Sequence, residues 1–329
     1  MKASAIAHSN IALVKYWGKR NEKLILPHNS SISVTLDGLK TITTVEFSKN
    51  FNKDEFTLNG EKKSGEEAKK VFDHLTLIRK MFRKKEFCRV ESQNNFPSSA
   101  GLASSSSAFA ALTSASVSAL GFKLKQKELS IIARQGSGSA SRSIFGGFVE
   151  WKKGSQISGG DSYAAQLYPK EHWPDFRVLA CIVSEKEKKI KSRAGMKQTV
   201  ETSPFYKAWL LTVEEDLKKT RRAIKEKNLE LLGKTAELNC LKMHATMLTT
   251  TPSIVYFEEG TLKAMHAVWQ MREEGTKAFF TMDAGPQVKI ICLEKDVQKI
   301  KQRMAAEGFE KIIESRPGDG ATLSGKDLF

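Results

Sequence analysis

Residues 96–109 read FPSSAGLASSSSAF, and ten of these fourteen residues are Ser, Ala or Gly. A flexible linker would be followed by the start of a new domain, whereas the sequence from Ser104 onward continues as a helix without a further break. Gly101 allows a backbone conformation that most residues avoid, and the small side chains permit close approach of a ligand. The stretch therefore predicts either a loop that closes around an anion or a closely packed helix of small residues.

An anion site at this position has a physical basis. A loop that leads into a helix N-terminus presents unpaired N–H groups and the positive end of the helix dipole, which suits a phosphate group. The stretch is not a Walker A loop, because the chain contains no GxxxxGK[ST] pattern and the loop has no lysine. Residue chemistry alone leaves anion binding and close packing both open.

Composition limits the class of protein. The chain has 329 residues, 40% of them hydrophobic and 27% charged, which is typical of a globular protein of two domains. No apolar run reaches the roughly 20 residues of a membrane helix, and no signal peptide is recognisable. The four cysteines contain no CxxC pair, so neither a zinc site nor a disulfide framework is expected. These features predict a cytoplasmic protein that does not bind a membrane.

The charge favours anionic partners. The net charge of +16 comes from 53 Lys and Arg against 37 Asp and Glu, and it suits nucleic acid or small phosphorylated molecules. The densest basic run, residues 186–193, is more typical of a solvated face. Because no RNP1 motif, zinc-finger spacing or leucine zipper accompanies the charge, nucleic-acid binding is not expected.

Hydrophobic periodicity predicts alternating helices and strands in both halves. In the first half, residues 41–48 and 176–184 have strand patterns, whereas residues 71–82 and 109–120 have helical patterns, the latter ending at Gly121. In the second half, the pattern predicts helices and strands over residues 210–224, 229–247, 258–274, 277–282, 288–293, 294–307 and 309–315. This order predicts a two-domain α+β protein with a boundary near residue 184.

Four further stretches reveal a family resemblance. They are NIALVKYWGKRNEKLILPHNSSISVTL (10–36), GSGSASRSIFGGFVEW (136–151), SRAGMKQTVETSPFYKAW (192–209) and MDAGPQV (282–288). Together with NNFPSSAGLASSSSAFAAL (94–112), they resemble in order and spacing the diphosphomevalonate decarboxylases of the GHMP kinase superfamily. The resemblance runs from about residue 5 to RPGDGA at residues 316–321, nearly the whole chain.

The resemblance implies a fold and a reaction. The expected fold is a ribosomal protein S5 domain 2-like domain over residues 1–183 and a ferredoxin-like α+β domain over residues 184–329, with the active-site cleft between them. The expected reaction phosphorylates the 3-hydroxyl of mevalonate 5-diphosphate with ATP and Mg²⁺. Phosphate and carbon dioxide are then lost to give isopentenyl diphosphate. Mg²⁺ is expected to enter with the nucleotide rather than through a protein cluster, and relatives commonly form homodimers.

The resemblance also implies roles for individual residues. Asp283 would orient, or also deprotonate, the tertiary hydroxyl for in-line attack on the γ-phosphate, although Asp is also common in such Gly-Pro turns. Arg142 would hold the substrate carboxylate by two parallel hydrogen bonds, and Lys15 completes the catalytic set. The implied substrate-binding residues are Tyr16, Trp17, Gly18, Lys19, Ser137, Gly138, Ser139, Ala140, Ser141, Arg142, Ser192 and Arg193.

The implied phosphate loop is the opening stretch. Its ATP-binding residues are Pro97, Ser99, Gly101, Leu102, Ala103, Ser104, Ser105 and Ser106. Ser105 aligns with the functional serine of the family, and Ser104 and Ser106 are alternatives because the run of serines leaves the register open by one residue.

The chain differs from some members of the family at two positions and departs from the usual pattern at a third. Ser141 stands where the family often has Cys. Arg193 matches the bacterial members, whereas animal and fungal relatives often have Thr at this position. The family usually offers an Arg to the diphosphate from the helix after LNG, where this chain has only Lys69 and Lys70. A lysine supplies a point charge without the bidentate fork of arginine.

Three alternatives remain open. A sister enzyme could decarboxylate mevalonate 5-phosphate, or a 3-kinase could phosphorylate without decarboxylation. The presence of Asp283 disfavours the pure kinase, and Ser192 with Arg193 favours the diphosphate. A basic protein that binds nucleic acid is the alternative from a different class. His28, His74 and His244 lack metal spacing and are expected to be core or surface residues.

Overall fold

The computed structural model describes residues 1–96, 104–186 and 188–329. Its strands are β1 (Lys2–Val14), β2 (Lys19–Asn21), β3 (Leu26–Pro27), β4 (Ser31–Ser48), β5 (Glu55–Leu58), β6 (Glu61–Lys62), β7 (Phe87–Asn94), β8 (Phe148–Trp151), β9 (Ala164–Tyr168), β10 (Phe176–Cys181), β11 (Phe279–Thr281), β12 (Val288–Leu293), β13 (Ile312–Ser315) and β14 (Thr322–Ser324). Its α-helices are α1 (Gly65–Met81), α2 (Ser104–Ala119), α3 (Gln126–Gly136), α4 (Ala140–Ser143), α5 (Ser192–Thr202), α6 (Tyr206–Glu226), α7 (Leu229–Leu248), α8 (Glu259–Glu273) and α9 (Val297–Ala306). Two short 3₁₀ helices span Lys170–His172 and Glu294–Asp296.

The larger sheet is built around two long antiparallel strands. Its order is β14–β1–β4–β7–β5–β6, and β8 and β9 continue from the first part of β4. The pairing of β1 with β4 runs from Lys2 opposite Glu46 to Val14 opposite Ile32, with two irregularities. Alternating β-branched and polar residues make β4 suited to a pleated, half-buried surface. This pairing ends at Val14, so the chain leaves the sheet directly before Lys15.

The smaller sheet has the order β11–β12–β10–β13, and all of its pairings are antiparallel. Its centre is β10, in which every residue is buried. At the end of β11 the chain enters the turn that contains Asp283. The smaller sheet therefore carries one half of the functional site.

Helices fill the space on both sheets. On the larger sheet, α1 follows the rules for a surface helix: Val71, Leu75 and Ile78 are buried on one face, Glu66 and Glu67 lie in the first turn, and basic residues lie in the last. Helices α6 and α7 join the two sheets, since one apolar cluster contains residues of β1, β4, both helices, β11 and β12. This shared core fixes the ends of β1 and β11 relative to each other.

The predicted α+β architecture is confirmed, with differences in detail. The strand predicted at residues 41–48 is the second half of the longer β4. The strand pattern at 309–315 does not end the chain's regular structure, because β14 follows and returns to the larger sheet beside β1. Gly121 has φ +83°, as expected of a residue after a helix end, and α2 ends two residues before it.

The division into residues 1–183 and 184–329 stays a prediction, but strand pairing favours another boundary. Strand β10, which that division assigns to the first domain, pairs with β12 and β13 of the smaller sheet. Pairing therefore favours a boundary before Phe176. Among the described residues, the helices are too short or too polar to cross a bilayer.

Candidate active site

A cavity of about 550 Å³ lies where the end of β1, the N-terminus of α2 and the turn after β11 meet. Sequence positions as distant as Lys15 and Asp283 share its wall because α6 and α7 pack between the two sheets. The predicted site residues that line it are Lys15, Tyr16, Trp17, Lys19, Ser104, Ser105, Ser137, Gly138, Ser139, Arg142, Ser192, Arg193 and Asp283.

Four described residues of the predicted set do not line the cavity. Gly18 has no side chain to present, and Ala140 is fully buried in the apolar cluster under the larger sheet. The Ser141 hydroxyl donates to the Gly138 carbonyl at 2.7 Å, and the Ser106 hydroxyl accepts the Asn10 N–H at 3.3 Å. Side-chain contact with a ligand is therefore not expected at these four positions.

Only part of the predicted phosphate loop lies within the described residues. Pro97, Ser99, Gly101, Leu102 and Ala103 lie outside the described residues. Ser104 and Ser105 begin α2 at the cavity wall, and the Ser105 hydroxyl accepts a hydrogen bond from the Ser137 hydroxyl at 3.2 Å. The helix N-terminus and these hydroxyls give the cavity one wall suited to a phosphate.

Asp283 and Lys15 form an ion pair at the base of the cavity. Lys15 Nζ lies 3.0 Å from Asp283 Oδ1, and the side chains are 1% and 27% exposed, respectively. Burial acts to raise the pKa of Asp283, but the charges of Lys15 and Lys289, the hydrogen bond from Lys15 and the charge of Arg142 outweigh it and lower the pKa below its ordinary value. At neutral pH the carboxylate is therefore ionised and ready to accept a hydrogen bond from a substrate hydroxyl.

Arg142 is a buried cation held in a fixed orientation. Its Nε donates to Asn10 Oδ1 at 3.1 Å, and its Nη1 donates to the Ser31 hydroxyl at 2.6 Å. Burial lowers its pKa to about 10, so the guanidinium stays charged at neutral pH. Asn10 also donates to Ser143, which ties the orientation of Arg142 to its own helix. A guanidinium fixed in this way suits a carboxylate ligand.

Tyr16 presents a buried hydroxyl with no partner among the described residues. Its ring packs edge-on against Trp151, with 4.7 Å between the ring centroids. Burial raises the pKa of Tyr16, so the hydroxyl stays protonated and can donate. A buried polar group without a partner is unfavourable unless a ligand or water satisfies it, which points to a binding role.

Gly18 positions the segment that carries Lys15, Tyr16 and Lys19. Its φ is +90°, and a Cβ at this residue would lie 1.9 Å from the Tyr206 hydroxyl oxygen. That hydroxyl donates to the Trp17 carbonyl at 2.9 Å and lies 2.7 Å from His28 Nδ1. Glycine is required here because of both the left-handed backbone and the close approach of α6.

Sequence reasoning missed two lysines. Lys188 belongs to the basic run interpreted as a solvated face, and Lys186 and Lys189 are indeed exposed. Lys188 instead turns inward to the cavity, where Nζ donates to the Ala284 carbonyl at 2.6 Å and to the Ser192 hydroxyl at 2.8 Å. Burial lowers its pKa to about 8. No feature of the run itself distinguishes Lys188 from its neighbours.

Lys289 is the second missed residue. It is 2% exposed inside β12, and burial lowers its pKa to about 8 while the nearby Asp283 carboxylate acts to raise it. A lysine in the otherwise apolar strand VKIICL is the signal that could have identified it, because buried lysines are rare unless paired.

Of the two candidate lysines for the missing arginine, Lys70 lines the cavity. Lys69 is exposed and pairs with Asp73 at 2.7 Å. Next to Lys70 the wall becomes apolar and consists of Phe56, Leu58, Val71, Phe109 and Leu112. The cavity therefore combines an apolar recess with a cationic part, which is lined by Lys15, Lys19, Lys70, Arg142, Lys188, Lys191 and Arg193.

Two of the three histidines that lack metal spacing lie in the core. His74 and His244 are buried, with His74 Nε2 2.8 Å from the Thr113 hydroxyl and His244 stacked on Phe257. His28 contacts Tyr206, as described above. Within the described ranges, no group of three His, Cys, Asp or Glu side chains could hold a metal ion.

Comparison with known protein families matches both halves of the chain. Residues 7–164 match the Diphosphomevalonate decarboxylase-like N-terminal domain, and residues 178–316 match the Mevalonate 5-diphosphate decarboxylase C-terminal domain. The diphosphomevalonate decarboxylase of Ganoderma lucidum is 39% identical over 322 residues, covering 91% of this chain and 80% of the relative. The human diphosphomevalonate decarboxylase is 40% identical over 307 residues, covering 88% and 76%.

Solved structures agree with these matches. The mevalonate diphosphate decarboxylase of Enterococcus faecalis superimposes with a TM-score of 0.92 at 44% identity, covering 99% of both chains. That of Staphylococcus aureus gives a TM-score of 0.94 at 42% identity, covering 98% of both. A structure described as MDDEF in complex with MVAPP, AMPPCP and magnesium gives 0.94 at 44% identity, covering 99% of both. The predicted GHMP kinase fold is confirmed, and the chain belongs to the diphosphomevalonate decarboxylase family.

Proposed function

We propose that this chain catalyses the ATP-dependent decarboxylation of (R)-mevalonate 5-diphosphate to isopentenyl diphosphate, ADP, phosphate and carbon dioxide, a step of isoprenoid synthesis. Family membership supports the reaction class. The observation that carries the proposal is the Lys15–Asp283 pair, 3.0 Å apart, in a cavity that also holds Arg142. An ionised carboxylate for a hydroxyl and a fixed guanidinium for a carboxylate match the two reacting ends of this substrate.

The cavity also fits a nucleotide with its magnesium ion. The N-terminus of α2 with Ser104 and Ser105, together with the lysines of the cationic part, would hold the phosphates, and the apolar recess would hold the base. Mg²⁺ keeps several waters and binds largely through nucleotide phosphates, so it would enter the cavity with ATP. When bound, the nucleotide supplies the phosphoryl group and Mg²⁺ neutralises developing charge on it.

The substrate would lie between these walls with each charged end on a matching group. Arg142 would hold the carboxylate through its guanidinium. At the other end, the Tyr16 hydroxyl, Ser192 and Arg193 would hold the diphosphate. The further residues assigned to the substrate pocket are Trp17, Lys19, Ser137, Gly138, Ser139 and Lys70.

The chemistry follows from this arrangement. Asp283 accepts a hydrogen bond from the 3-hydroxyl and orients its oxygen in line with the γ-phosphorus, while Lys15 keeps the carboxylate ionised. Because its pKa is lowered, Asp283 acts mainly by orientation and receives the proton only as the new P–O bond forms. The C3–O bond of the phosphorylated substrate then breaks with loss of phosphate. The electron pair of the bond to the carboxylate forms the carbon–carbon double bond as carbon dioxide leaves.

A parallel assay tests the proposal. Purified protein with Mg-ATP is given mevalonate, its 5-phosphate or its 5-diphosphate, and both ADP and carbon dioxide are measured. One-to-one release of both from the diphosphate alone is expected. Carbon dioxide from the monophosphate would identify the sister decarboxylase, ADP without carbon dioxide would identify a 3-kinase, and no turnover would contradict the proposal.

We also propose that the protein is a homodimer and that it lies in the cytoplasm, because the family resemblance supports both. Light scattering of the purified protein tests the first, since a dimer has twice the chain mass of 36.7 kDa. Nucleic-acid binding is tested by a salt-dependent mobility shift with unrelated oligonucleotides, and none is expected.

A further inference from the structure

Two buried asparagines hold the backbone of Lys15 where it leaves the larger sheet. The Lys15 N–H donates to Asn239 Oδ1 at 2.8 Å, and the Lys15 carbonyl accepts from Asn29 Nδ2 at 2.8 Å. Asn239 is 0% exposed and Asn29 is 6% exposed. Since the β1–β4 ladder ends at Val14, these side chains replace the backbone partners that a strand would supply.

A buried carboxylate on the neighbouring helix fixes the orientation of Asn239. Asp216 of α6 is 5% exposed, and its Oδ2 accepts from Asn239 Nδ2 at 2.7 Å and also from Lys242 Nζ. An ionised carboxylate only accepts hydrogen bonds, whereas an amide has a donor end and an acceptor end. Asp216 therefore holds the donor end of Asn239, which leaves the acceptor end facing the Lys15 N–H.

Neither Asp216 nor Asn239 lines the cavity, and the hydrogen bond from the Lys15 N–H connects them to the site. The Lys15 ammonium group is itself held between two acceptors, since its Nζ donates to the Ala12 carbonyl at 2.8 Å and to Asp283 at 3.0 Å. A shift of its backbone would therefore lengthen the contact with Asp283.

We propose that the Asp216–Asn239 pair is a positioning device for the reaction, because it fixes Lys15 so that its ammonium group stays bonded to Asp283. The inference rests on the function proposed above and extends the site by two residues that contact no ligand. Asn29 adds a second contact to the Lys15 backbone by donating to its carbonyl.

Loss of this hold has a specific electrostatic consequence at Asp283. The groups that face or perturb the Asp283 carboxylate are Lys15, Lys188, Lys289, Arg142, His244 and Cys240. If Lys15 withdraws, the burial that acts to raise the pKa of Asp283 is opposed by fewer cations. The acid limb of the kcat profile then moves to higher pH.

The test compares Asn239→Leu and Asp216→Asn with the exchanged pair Asp216→Asn/Asn239→Asp. Asn239→Leu removes the acceptor, and we expect kcat to fall roughly 30-fold with KM within about threefold, since a small misplacement near reacting atoms can cost two orders of magnitude. The midpoint of the acid limb of the kcat–pH profile should move to higher pH by about one unit. Asp216→Asn lets the Asn239 amide turn over and also removes the carboxylate partner of Lys242, and it should give a smaller change in the same direction.

The exchanged pair should restore most of kcat and the original acid limb. Its carboxylate at position 239 accepts from the Lys15 N–H, and the amide at position 216 bonds both that carboxylate and Lys242. Asp54→Asn is the matched control for loss of a buried carboxylate, because Asp54 binds Arg79 at 2.6 Å and 2.7 Å and does not line the cavity. It should lower the melting temperature without moving the acid limb.

A second measurement needs no turnover and separates this inference from the proposed function. The pKa of Asp283 is followed by ¹³C NMR of its carboxyl carbon in the parent protein and in the same variants. A higher pKa in Asn239→Leu, returned by the exchanged pair, supports the positioning role even if the substrate assignment fails. An unchanged pKa, or a loss of kcat equal at every pH and not rescued by the exchange, would overturn it.

Discussion

At the scale of single residues, the Tyr16 hydroxyl is suited to ligand binding rather than to stabilising the fold. Its hydroxyl is buried without a partner among the described residues, so it does not stabilise the free protein and carries a desolvation cost. The Tyr206 hydroxyl is also buried but bonds the Trp17 carbonyl at 2.9 Å. Both hydroxyls lie near residues 16–18, but that of Tyr16 is available to a ligand whereas that of Tyr206 stabilises the fold.

We predict that Tyr16→Phe raises KM for mevalonate 5-diphosphate by roughly 10- to 100-fold, because a hydrogen bond to a charged group contributes about 1.5–3 kcal/mol. The free energy of unfolding should stay within about 1 kcal/mol or increase, because an unsatisfied buried group is removed. Tyr206→Phe is the control and should lose about 1 kcal/mol of stability in urea unfolding. An unchanged KM in Tyr16→Phe would contradict the binding role.

Gly18 gives a second prediction at this scale. Gly18→Ala places a Cβ 1.9 Å from the Tyr206 hydroxyl oxygen at φ +90°, so helix α6 must shift or the backbone must turn. We expect a loss of about 2–4 kcal/mol in the free energy of unfolding, measured by urea denaturation. Gly121→Ala also has a positive φ but meets no atom within 4 Å, and it should cost less. Equal losses would show that the contact with Tyr206 is unimportant.

The predictable residues are those whose motif is local. Asp283, Arg142 and Lys15 each lie in a short stretch with characteristic neighbours, and the cavity brings all three together. Lys188 could not be predicted, because its inward turn depends on the Ala284 carbonyl, which lies 96 residues away along the chain. The same reason hides Asp216 and Asn239, whose importance exists only in their contact with each other and with Lys15.

At the scale of elements, the segment between β10 and α5 carries a cation whose charge depends on pH. Burial lowers the pKa of Lys188 to about 8, far below that of an exposed lysine. Its ammonium group is therefore present at pH 7 and is lost as the pH rises through about 8. A phosphate ligand on this side of the cavity would lose one ion pair over the same range.

We predict that kcat/KM for ATP falls as the pH rises through about 8, since this quantity reports groups of the free enzyme. Lys188→Met should lower kcat/KM at pH 7 and flatten this basic limb, leaving the contribution of Lys289. Lys189→Met, an exposed lysine of the same run, is the control and should leave both unchanged. A basic limb that is identical in the parent protein and Lys188→Met would rule out this assignment.

Element prediction succeeded for the long periodic helices and was weaker for strands, because β1 and β7, which flank β4 in the larger sheet, were not predicted. Helix α8 differs by one residue at each end from the predicted range of 258–274. The three-residue strand β14 was missed, because its pairing with β1 comes from the return of the chain end rather than from any pattern of its own. The assignment of β10 to the smaller sheet likewise depends on its pairing with β12, which is distant in sequence.

At the scale of the whole molecule, the excess of cations suits an anionic substrate. The chain carries 53 Lys and Arg against 37 Asp and Glu, and the cavity concentrates lysines and arginines at its wall. A field of this sign raises the rate at which polyanions reach the cavity, and salt screens it over about 10 Å at 0.1 M.

We predict that kcat/KM for mevalonate 5-diphosphate falls severalfold between 50 and 300 mM KCl, while kcat changes less than about twofold. The same series with kcat at saturating substrate is the internal control, because steering acts only before binding. A kcat/KM independent of salt would assign the net charge to solubility instead.

The central claim is that Asp283, held ionised by Lys15, orients the hydroxyl that is phosphorylated. Its most direct test is a rapid-quench measurement of ADP and carbon dioxide from mevalonate 5-diphosphate in the parent protein and in Asp283→Asn. We predict that both products fall together by at least about 10³-fold, with the dissociation constant of the diphosphate within about fivefold. Turnover within tenfold of the parent protein, or loss of carbon dioxide with ADP release retained, would contradict the account.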